Sequence, residues 1–234
     1  MSQRANARIV DLEQLDLRCL NAALHALPRE SEGHWRVLNP KGRHAIAVGL
    51  DCRITVEVTG HVGYYCAGMN KRATVLIHGN AGTGVGENMM SGTVHVKGDC
   101  SQSAGASGRG GLLMIDGNAS ARCGISMKGV NIVVKGSVGH LSAFMAQTGN
   151  LVVLGDAGEA LGDSIYEARL FIRGRVASLG ADCTRKEMRE HHCAQLHALL
   201  RDASVAGEVD IGEFVRYGAA RELYHYHVDN AAAY

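Results

Sequence analysis

Residues 74–92 read TVLIHGNAGTGVGENMMSG, and the 19 residues that follow, 93–111, read TVHVKGDCSQSAGASGRGG. In the first segment the aliphatic residues Val75 and Ile77 alternate with other residues ahead of a glycine, and the second segment has aliphatic residues at the same positions. An alternation with a period of two is typical of a strand that has one face in a hydrophobic core. The two segments are therefore predicted to be consecutive copies of one structural repeat.

The repeat extends in both directions with a constant spacing. Glycines stand 19 residues apart at seven positions: Gly60, Gly79, Gly98, Gly117, Gly136, Gly155 and Gly174. Aliphatic residues stand two and four positions before each of these glycines, and a small apolar residue stands two positions after. Because Asn, Asp or Ser usually follows the glycine, each strand is predicted to run into a corner that the glycine turns.

Stacked coils are the fold that such a repeat favours, because one coil alone cannot bury its aliphatic face. The fold class is predicted to be all-β: a right-handed, single-stranded parallel β-helix of seven 19-residue coils with helical N- and C-terminal caps. A dinucleotide-binding loop is disfavoured because no helical pattern follows the glycines. Calcium-binding β-rolls have a period of about nine residues and left-handed β-helices one of about six, and neither matches this spacing.

The extent of the repeat divides the chain into an N-terminal cap over residues 1–50, the β-helix over residues 51–182, and a C-terminal helix and tail over residues 183–234. In the cap, Asp16 is predicted to be the N-cap of a helix, and His44–Gly49 to form a short strand. In the last segment, Thr184 and Glu187 have the spacing of a capping box, which predicts that a helix begins there. Its apolar face consists of Met188, His192, Leu196, Leu199 and Leu200.

One face of the predicted strands points away from the core and carries an unexpected column of residues. Three positions before each glycine stand Glu57, Leu76, His95, Met114, Val133, Val152 and Phe171. Five of these seven residues are apolar, although exposure to solvent would favour polar side chains. Leu76, Met114, Val133, Val152 and Phe171 are therefore predicted to be covered, either by the chain's own terminal helix or by another subunit.

The composition limits the classes of partner and compartment. The formal net charge is +1, with both signs scattered along the chain, so neither nucleic acid nor an acidic membrane is expected as a partner. The seven cysteines form no C-x-x-C pair, so neither a disulfide framework nor a conventional zinc site is expected. Residues 1–8 lack the apolar run of a signal peptide, and no apolar stretch approaches the roughly 20 residues of a membrane span. A cytoplasmic location is expected.

Residues of metal-ligand type are dense in only one segment. They are Cys183, His191, His192, Cys193 and His197. A structural zinc site usually brings two pairs of ligands from separate elements, and only one pair is visible here. An amphipathic helix explains the same residues, so no metal site is predicted.

Two further groups are weighed as catalytic candidates. His225 and His227 have no indicated nucleophile and acid beside them. The acidic residues of the repeats stand mainly in turns, so a sugar-cleaving carboxylate pair is not needed to explain them; they are Asp99, Asp116, Asp156, Glu159 and Asp163. No catalytic, cofactor-binding or metal-binding residue is predicted in the chain.

The repeat resembles a known protein module. The pattern G-x-x-G-x-x-x-G occurs intact at Gly79–Gly86 and at Gly155–Gly162, and it is similar to the GXGXG domain at the C-terminus of the glutamate synthase large subunit. A module in one subunit of formylmethanofuran dehydrogenase looks similar. The resemblance covers roughly residues 50–182, and it departs from the motif at Ser101 and Ser120, which stand in place of glycine. The family assigns no catalytic residues to this module.

The size of the chain and its segment Arg221–Asn230 resemble the middle subunit of three-part glutamate-synthase-like enzymes, of which N-methylglutamate synthase is the best known. The resemblance implies a non-catalytic structural subunit of a hetero-oligomer that binds no cofactor itself. One partner would have a class II glutamine amidotransferase fold, and the other would bind FMN and an iron–sulfur cluster. The implied reaction converts glutamate and methylamine into N-methylglutamate and ammonia.

Two alternatives stay open. The first is a component like the GXGXG-containing subunit of formylmethanofuran dehydrogenase, which would have a metallopterin-binding partner. The second is an independent carbohydrate-active β-helix, which would need a groove lined by paired acids or by basic residues.

Overall fold

The computed structural model describes residues 7–207 and 209–220. This part of the chain is mostly β, with eleven strands, two helices and one 3-10 helix. In chain order the elements are β1 (Arg8–Asp11), α1 (Leu17–His25), β2 (Glu32–Leu38), β3 (Arg53–Thr59), β4 (Thr74–His78), β5 (Thr93–Val96), β6 (Leu112–Ile115), β7 (Lys128–Val134), β8 (Thr148–Val153), β9 (Arg169–Ile172), β10 (Cys183–Lys186), α2 (Glu190–Asp202), η1 (Ile211–Glu213) and β11 (Val215–Ala219). Neither helix has the length and hydropathy that crossing a membrane requires.

The predicted parallel solenoid is confirmed. Strands β3 to β9 pair in parallel with their chain neighbours, and the inward residues align 19 positions apart, as in Val56 opposite Val75 and Val75 opposite Val94. A second wall repeats the same register through single bridges that join Val62, Ala81, Cys100, Ala119, Val138, Ala157 and Val176. The right-handed sense of the coil stays a prediction.

Parallel pairing continues on the N-terminal side of the repeat. All seven residues of β2 pair with β3, and β1 pairs with β2, so both strands belong to the same sheet. The prediction of a strand at His44–Gly49 is wrong. Ala45, Ala47 and Gly49 have φ values of 56°, 54° and 68°, and the left-handed region that they occupy is incompatible with an extended strand.

The core consists of aliphatic layers stacked along the solenoid. Each inward strand residue, such as Val75, Val94 and Leu113, is fully buried between the coils before and after it. The N-terminal end of this core is closed by α1, whose Leu20 and Leu24 are buried. The predicted N-cap of α1 is confirmed, because Asp16 Oδ1 accepts a hydrogen bond from the backbone N–H of Arg18 at 2.8 Å.

The glycine column is required by space more than by backbone dihedrals. Of its seven members, only Gly60 has a positive φ, of 129°. From one coil to the next the glycines lie directly over each other, and the N–H of Gly136 donates to the carbonyl of Gly117 at 3.0 Å. A Cβ on Gly136 would lie 2.7 Å from that carbonyl oxygen and 2.5 Å from Asn118 Oδ1. Any side chain at these positions would therefore collide with the coil before it.

The residues after the glycines form a ladder of their own. Asn118 Oδ1 accepts from the backbone N–H of Ser137 at 2.9 Å, and Ser137 Oγ accepts from that of Asp156 at 2.9 Å. The same pattern links seven coil positions: His61, Asn80, Asp99, Asn118, Ser137, Asp156 and Arg175. The Asn, Asp and Ser side chains of this ladder each accept from a backbone N–H of the next coil, which is a second role beside the turn preference that predicted them.

The C-terminal end of the sheet changes direction. Strand β9 pairs with β11 in antiparallel orientation, and β11 pairs with β10. The prediction that a helix begins at Thr184 is wrong, because Cys183–Lys186 is strand β10, with Thr184 opposite Gly218. Helix α2 begins at Glu190, six residues later. A local capping pattern cannot reveal this pairing partner, which lies more than thirty residues further along the chain.

Candidate interaction surface

The outer face of the sheet is divided into a covered half and an open half. Over β7 to β9, helix α2 packs onto the predicted apolar column, and Val133, Val152 and Phe171 are 1%, 0% and 0% exposed. The helix contributes Leu196 and Leu200, both fully buried. The buried face predicted for this helix is confirmed at His192, Leu196, Leu199 and Leu200, while Met188 is partly buried.

This packing corrects part of the predicted interface. Val133, Val152 and Phe171 are covered by the chain's own helix, so their side chains are not available to another subunit. Met114 lies at the border and is partly buried against the same cluster. Leu76, which is half-buried, is the predicted interface residue that lies in the open half. One part of the column is therefore covered by α2 and the other part is left open, because α2 does not extend along the whole sheet.

The open half carries a row of ionisable side chains across β2, β3 and β4. Glu57 lies between two histidines, with His34 Nε2 3.3 Å from its Oε1 and His78 Nε2 3.9 Å from its Oε2. The buried Nε2 of His34 makes no hydrogen bond within the described ranges, although it lies near Glu57. Leu76 stands directly opposite Glu57 in the register of β3 and β4. The open half is thus polar with an apolar centre.

A second charged group lies where the open half meets the edge of the covered half. Asp116 accepts a hydrogen bond from Lys97 at 3.0 Å and lies 3.0 Å from His95 Nε2, while Lys135 Nζ is 3.4 Å away. Partial burial by itself raises the pKa of Asp116, but the hydrogen bonds to His95 and Lys97 and the charge of Lys135 outweigh it and leave the pKa below its usual value of 3.8. This carboxylate therefore stays ionised and links side chains of three consecutive coils, those of β5, β6 and β7.

A cleft opens beside the first residues of β3 and β4. It has a volume of about 540 Å³, and its lining includes Arg53, Lys71 and Arg72. Two carboxylates pair with these cations: Glu30 lies 2.9 Å from Arg72 Nη1, and Asp51 lies 3.3 Å from Lys71 Nζ. Desolvation raises the pKa of Asp51, but Lys71 and the neighbouring arginines outweigh that effect and lower it. The cleft is basic, since Arg29 also pairs with Asp51 and gives the group four cations to two carboxylates.

The residues of metal-ligand type between Cys183 and His197, which were not predicted to bind a metal, do not form a ligand group. The rings of His191 and His192 are neighbours, with centroids 3.8 Å apart. Cys183 lies in β10, where burial raises the pKa of its thiol to about 11. In residues 7–207 and 209–220, no group of three or more His, Cys, Asp or Glu side chains is placed to hold a metal ion. His225 and His227 lie outside the described residues.

The acidic residues of the repeats are used mainly within the stack. Asp99 and Asp156 belong to the polar ladder, and Asp163 Oδ2 accepts from the N–H of Ala181 at 3.2 Å. Their positions agree with the turn interpretation made from the sequence. The residues that sequence reasoning missed are His34 and His78 around Glu57. For His34 the only signal is the parallel register, and the period of 19 does not reveal it because β2 pairs with β3 at an offset of 21 residues.

The imidazole of His192 links the stability of the α2 packing to pH. His192 Nδ1 accepts from the N–H of Arg189 at 3.1 Å, so the ring must be neutral. Desolvation, followed by the charges of Arg216, His191, Arg169 and Arg189, lowers the pKa of His192 from 6.5 to about 4. Between these two values the unfolded chain carries a proton that the folded chain excludes, so the free energy of unfolding should fall as the pH falls from 6.5 to 4.

We expect His192→Gln to flatten this dependence, because glutamine accepts the same hydrogen bond without titrating. The measurement is the urea unfolding midpoint of both proteins at several pH values across the window. The difference between the two profiles isolates His192 from the other histidines. Parallel profiles would contradict this account of the α2 N-terminus.

Protein GlxC of Rhizobium meliloti (strain 1021) is 63% identical to this chain over 227 residues, which cover 97% of this chain and 99% of the relative. No model of a known protein family matches the chain. An identity at this level, over nearly the full length of both chains, includes the solenoid, its two ends and α2. The chain belongs to the GlxC family.

Proposed function

We propose that this chain is the structural subunit of a glutamate-synthase-like complex of the N-methylglutamate synthase type. It would hold a class II glutamine amidotransferase-like subunit and an FMN and iron–sulfur subunit in register for the transfer of ammonia or amine. The complex would convert glutamate and methylamine into N-methylglutamate and ammonia. The redox cofactors belong to the partner subunit in this proposal, and the present chain contributes surfaces and no reacting group.

The observation that carries the proposal is the continuous parallel stack from β1 to β9, whose coils from β3 onward are also bridged along a second wall. A parallel stack of this kind is a stiff body, because bending it would break the bonds between coils. Stiffness matters for a subunit that positions two others, since a displacement of about 1 Å at a reacting centre can cost about 100-fold in rate. The resemblance to the GXGXG module supports the same role.

The division of the outer face also supports a partner. The chain seals one half of its sheet with α2 and leaves Leu76 half-buried in the other half, next to the polar side chains of Glu57, His34 and His78. Polar groups around an apolar centre are typical of an interface that forms between separately folded subunits. The open half is therefore the surface on which we expect one partner subunit to lie.

Co-purification from the native source tests the proposal. We expect the chain to be isolated with an amidotransferase-like protein and a flavoprotein, both identified by mass spectrometry. The isolated chain should show no flavin absorbance and no turnover that depends on glutamine or glutamate. Absorbance or turnover in the isolated chain would contradict a structural role, and a metallopterin-binding partner in place of the flavoprotein would favour the formylmethanofuran dehydrogenase alternative.

A further inference from the structure

A second surface runs along the corner that precedes the strands. In each of the first six coils one residue, eleven positions after the column glycine, points outward at this corner. We call this column the corner ridge; it consists of Lys71, Met90, Arg109, Lys128, Gln147 and Tyr166, all of them exposed. Consecutive members belong to consecutive coils, so they are spaced by about 4.8 Å and the ridge is about 24 Å long.

The backbone of the corner ridge is held in place from coil to coil. The N–H of Met90 donates to the carbonyl of Asn70 at 2.7 Å, and the N–H of Arg109 donates to that of Met89 at 2.7 Å. The other four members make the same bond to the preceding coil, at 2.7–2.8 Å. The side chains therefore project from a rigid frame in a fixed order. Because the backbone of the ridge is already ordered, binding of a partner costs less conformational entropy, which favours association.

The corner ridge combines exposed apolar and basic side chains. Met90 and Tyr166 are 41% and 47% exposed, and the adjacent column adds Met69 and Met145 at 45% and 41%. These four account for half of the eight large apolar side chains that are exposed in the described ranges. Methionine, tyrosine and arginine are enriched in protein–protein interfaces, and methionine adapts its shape to a partner. The pattern indicates a protein-binding surface.

The charge of the corner ridge has one sign. It holds Lys71, Arg109 and Lys128 and no acidic residue. Arg109 and Lys128 make no ion pair with the part of the chain that the structure describes. At its N-terminal end the ridge joins the basic cleft, where Lys71 lines the wall together with Arg53 and Arg72. A partner surface that complements these charges must be acidic.

We propose that the corner ridge is the docking surface for an acidic surface of one partner subunit, with acidic side chains opposite Arg109 and Lys128 and apolar side chains against Met90 and Tyr166. The inference rests on the proposed function and adds to it the face and the chemistry of one contact. A structural subunit that holds two partners needs two faces, and the corner ridge is distinct from the open half of the sheet around Leu76.

Reversal of the ridge charges tests the proposal. The triple variant Lys71→Glu, Arg109→Glu, Lys128→Glu should bind its partner about 10- to 100-fold more weakly than the unchanged chain at low salt, and high salt should narrow the difference. The matched control is Arg18→Glu, Arg175→Glu, Arg201→Glu, which makes the same change of charge at exposed residues off the ridge. The control should bind like the unchanged chain.

Binding is measured with the co-expressed amidotransferase-like and flavin subunits, after thermal melting has shown that both triple variants are folded. If the unchanged chain binds a subunit and the ridge variant binds it equally well, the ridge inference is overturned and the proposed function stands. If the unchanged chain binds neither subunit, both are overturned. Self-association, or binding of a nucleic acid duplex, that is lost in the ridge variant without loss of subunit binding would also overturn the inference.

Discussion

The double variant Val133→Asp, Val152→Asp is expected to detach α2 from the sheet and to cause a large loss of stability. Both side chains are buried in an apolar cluster that includes Leu196 and Leu200. A carboxylate there must either remain charged in an apolar contact or take up a proton, and both outcomes are costly. We expect the free energy of unfolding to fall by about 3–5 kcal/mol.

The measurement is urea unfolding followed by circular dichroism, with limited proteolysis to detect the release of α2. The matched control is Leu76→Asp, a change of the same column in the open half, where the side chain is only half-buried. We expect that control to change the stability by less than about 1 kcal/mol. A double variant that keeps its unfolding midpoint would show that α2 does not seal this half of the sheet.

The second large effect is expected at Gly136, where alanine should destabilise the stack by about 1–3 kcal/mol. The backbone of Gly136 does not need glycine for its dihedrals, since its φ is not positive. The added Cβ would instead lie 2.5 Å from Asn118 Oδ1 and 2.7 Å from the Gly117 carbonyl oxygen. Asn118 must then move, which breaks its hydrogen bond to the N–H of Ser137.

Gly218→Ala is the control for this substitution, because a Cβ at Gly218 in β11 has its nearest neighbours at 3.7 Å, an ordinary contact distance. Thermal unfolding of both variants gives the comparison. The Asn118→Ala background provides a further check, because removing Oδ1 should reduce the cost of Gly136→Ala. Equal costs in the two backgrounds would contradict the contribution of Asn118 and leave the Gly117 backbone as the obstacle.

The strands of the repeat could be predicted because their signal is local and repeats with a constant period. Val75 and Ile77 identify a strand by alternation, and Gly79 marks its end. Where the signal was local but not repeated, the result was mixed. Asp16 was predicted correctly as a helix cap, whereas Thr184 and Glu187 have the same kind of capping pattern and lie at a strand. Pairing with β11 decides the second case, and a four-residue pattern carries no information about that pairing.

The candidate surfaces depended more heavily on tertiary structure. The alternation of the strands showed that Leu76 and Val133 share one outer column. It did not decide whether a terminal helix of the same chain or another subunit covers that column. The structure shows that the two residues differ, because α2 covers β7 to β9, including Val133, and does not reach the strand of Leu76. The ridge at Lys71 and Arg109 was not predicted, since these residues lie in turns and have no alternation that marks an outward face.

The amino-acid sequence by itself determined the period, the aliphatic layers and the column of small residues, because a coil must bury the same face at every turn and the preceding coil leaves no room for a side chain at its glycine. Only the tertiary structure decided where the parallel sheet begins and ends, which half of its outer face α2 covers, and which side chains gather into a charged cleft and a ridge. Those features depend on contacts between segments far apart in the chain. The repeat determines the geometry of the stack, and the non-repeating ends determine which of its faces stay open.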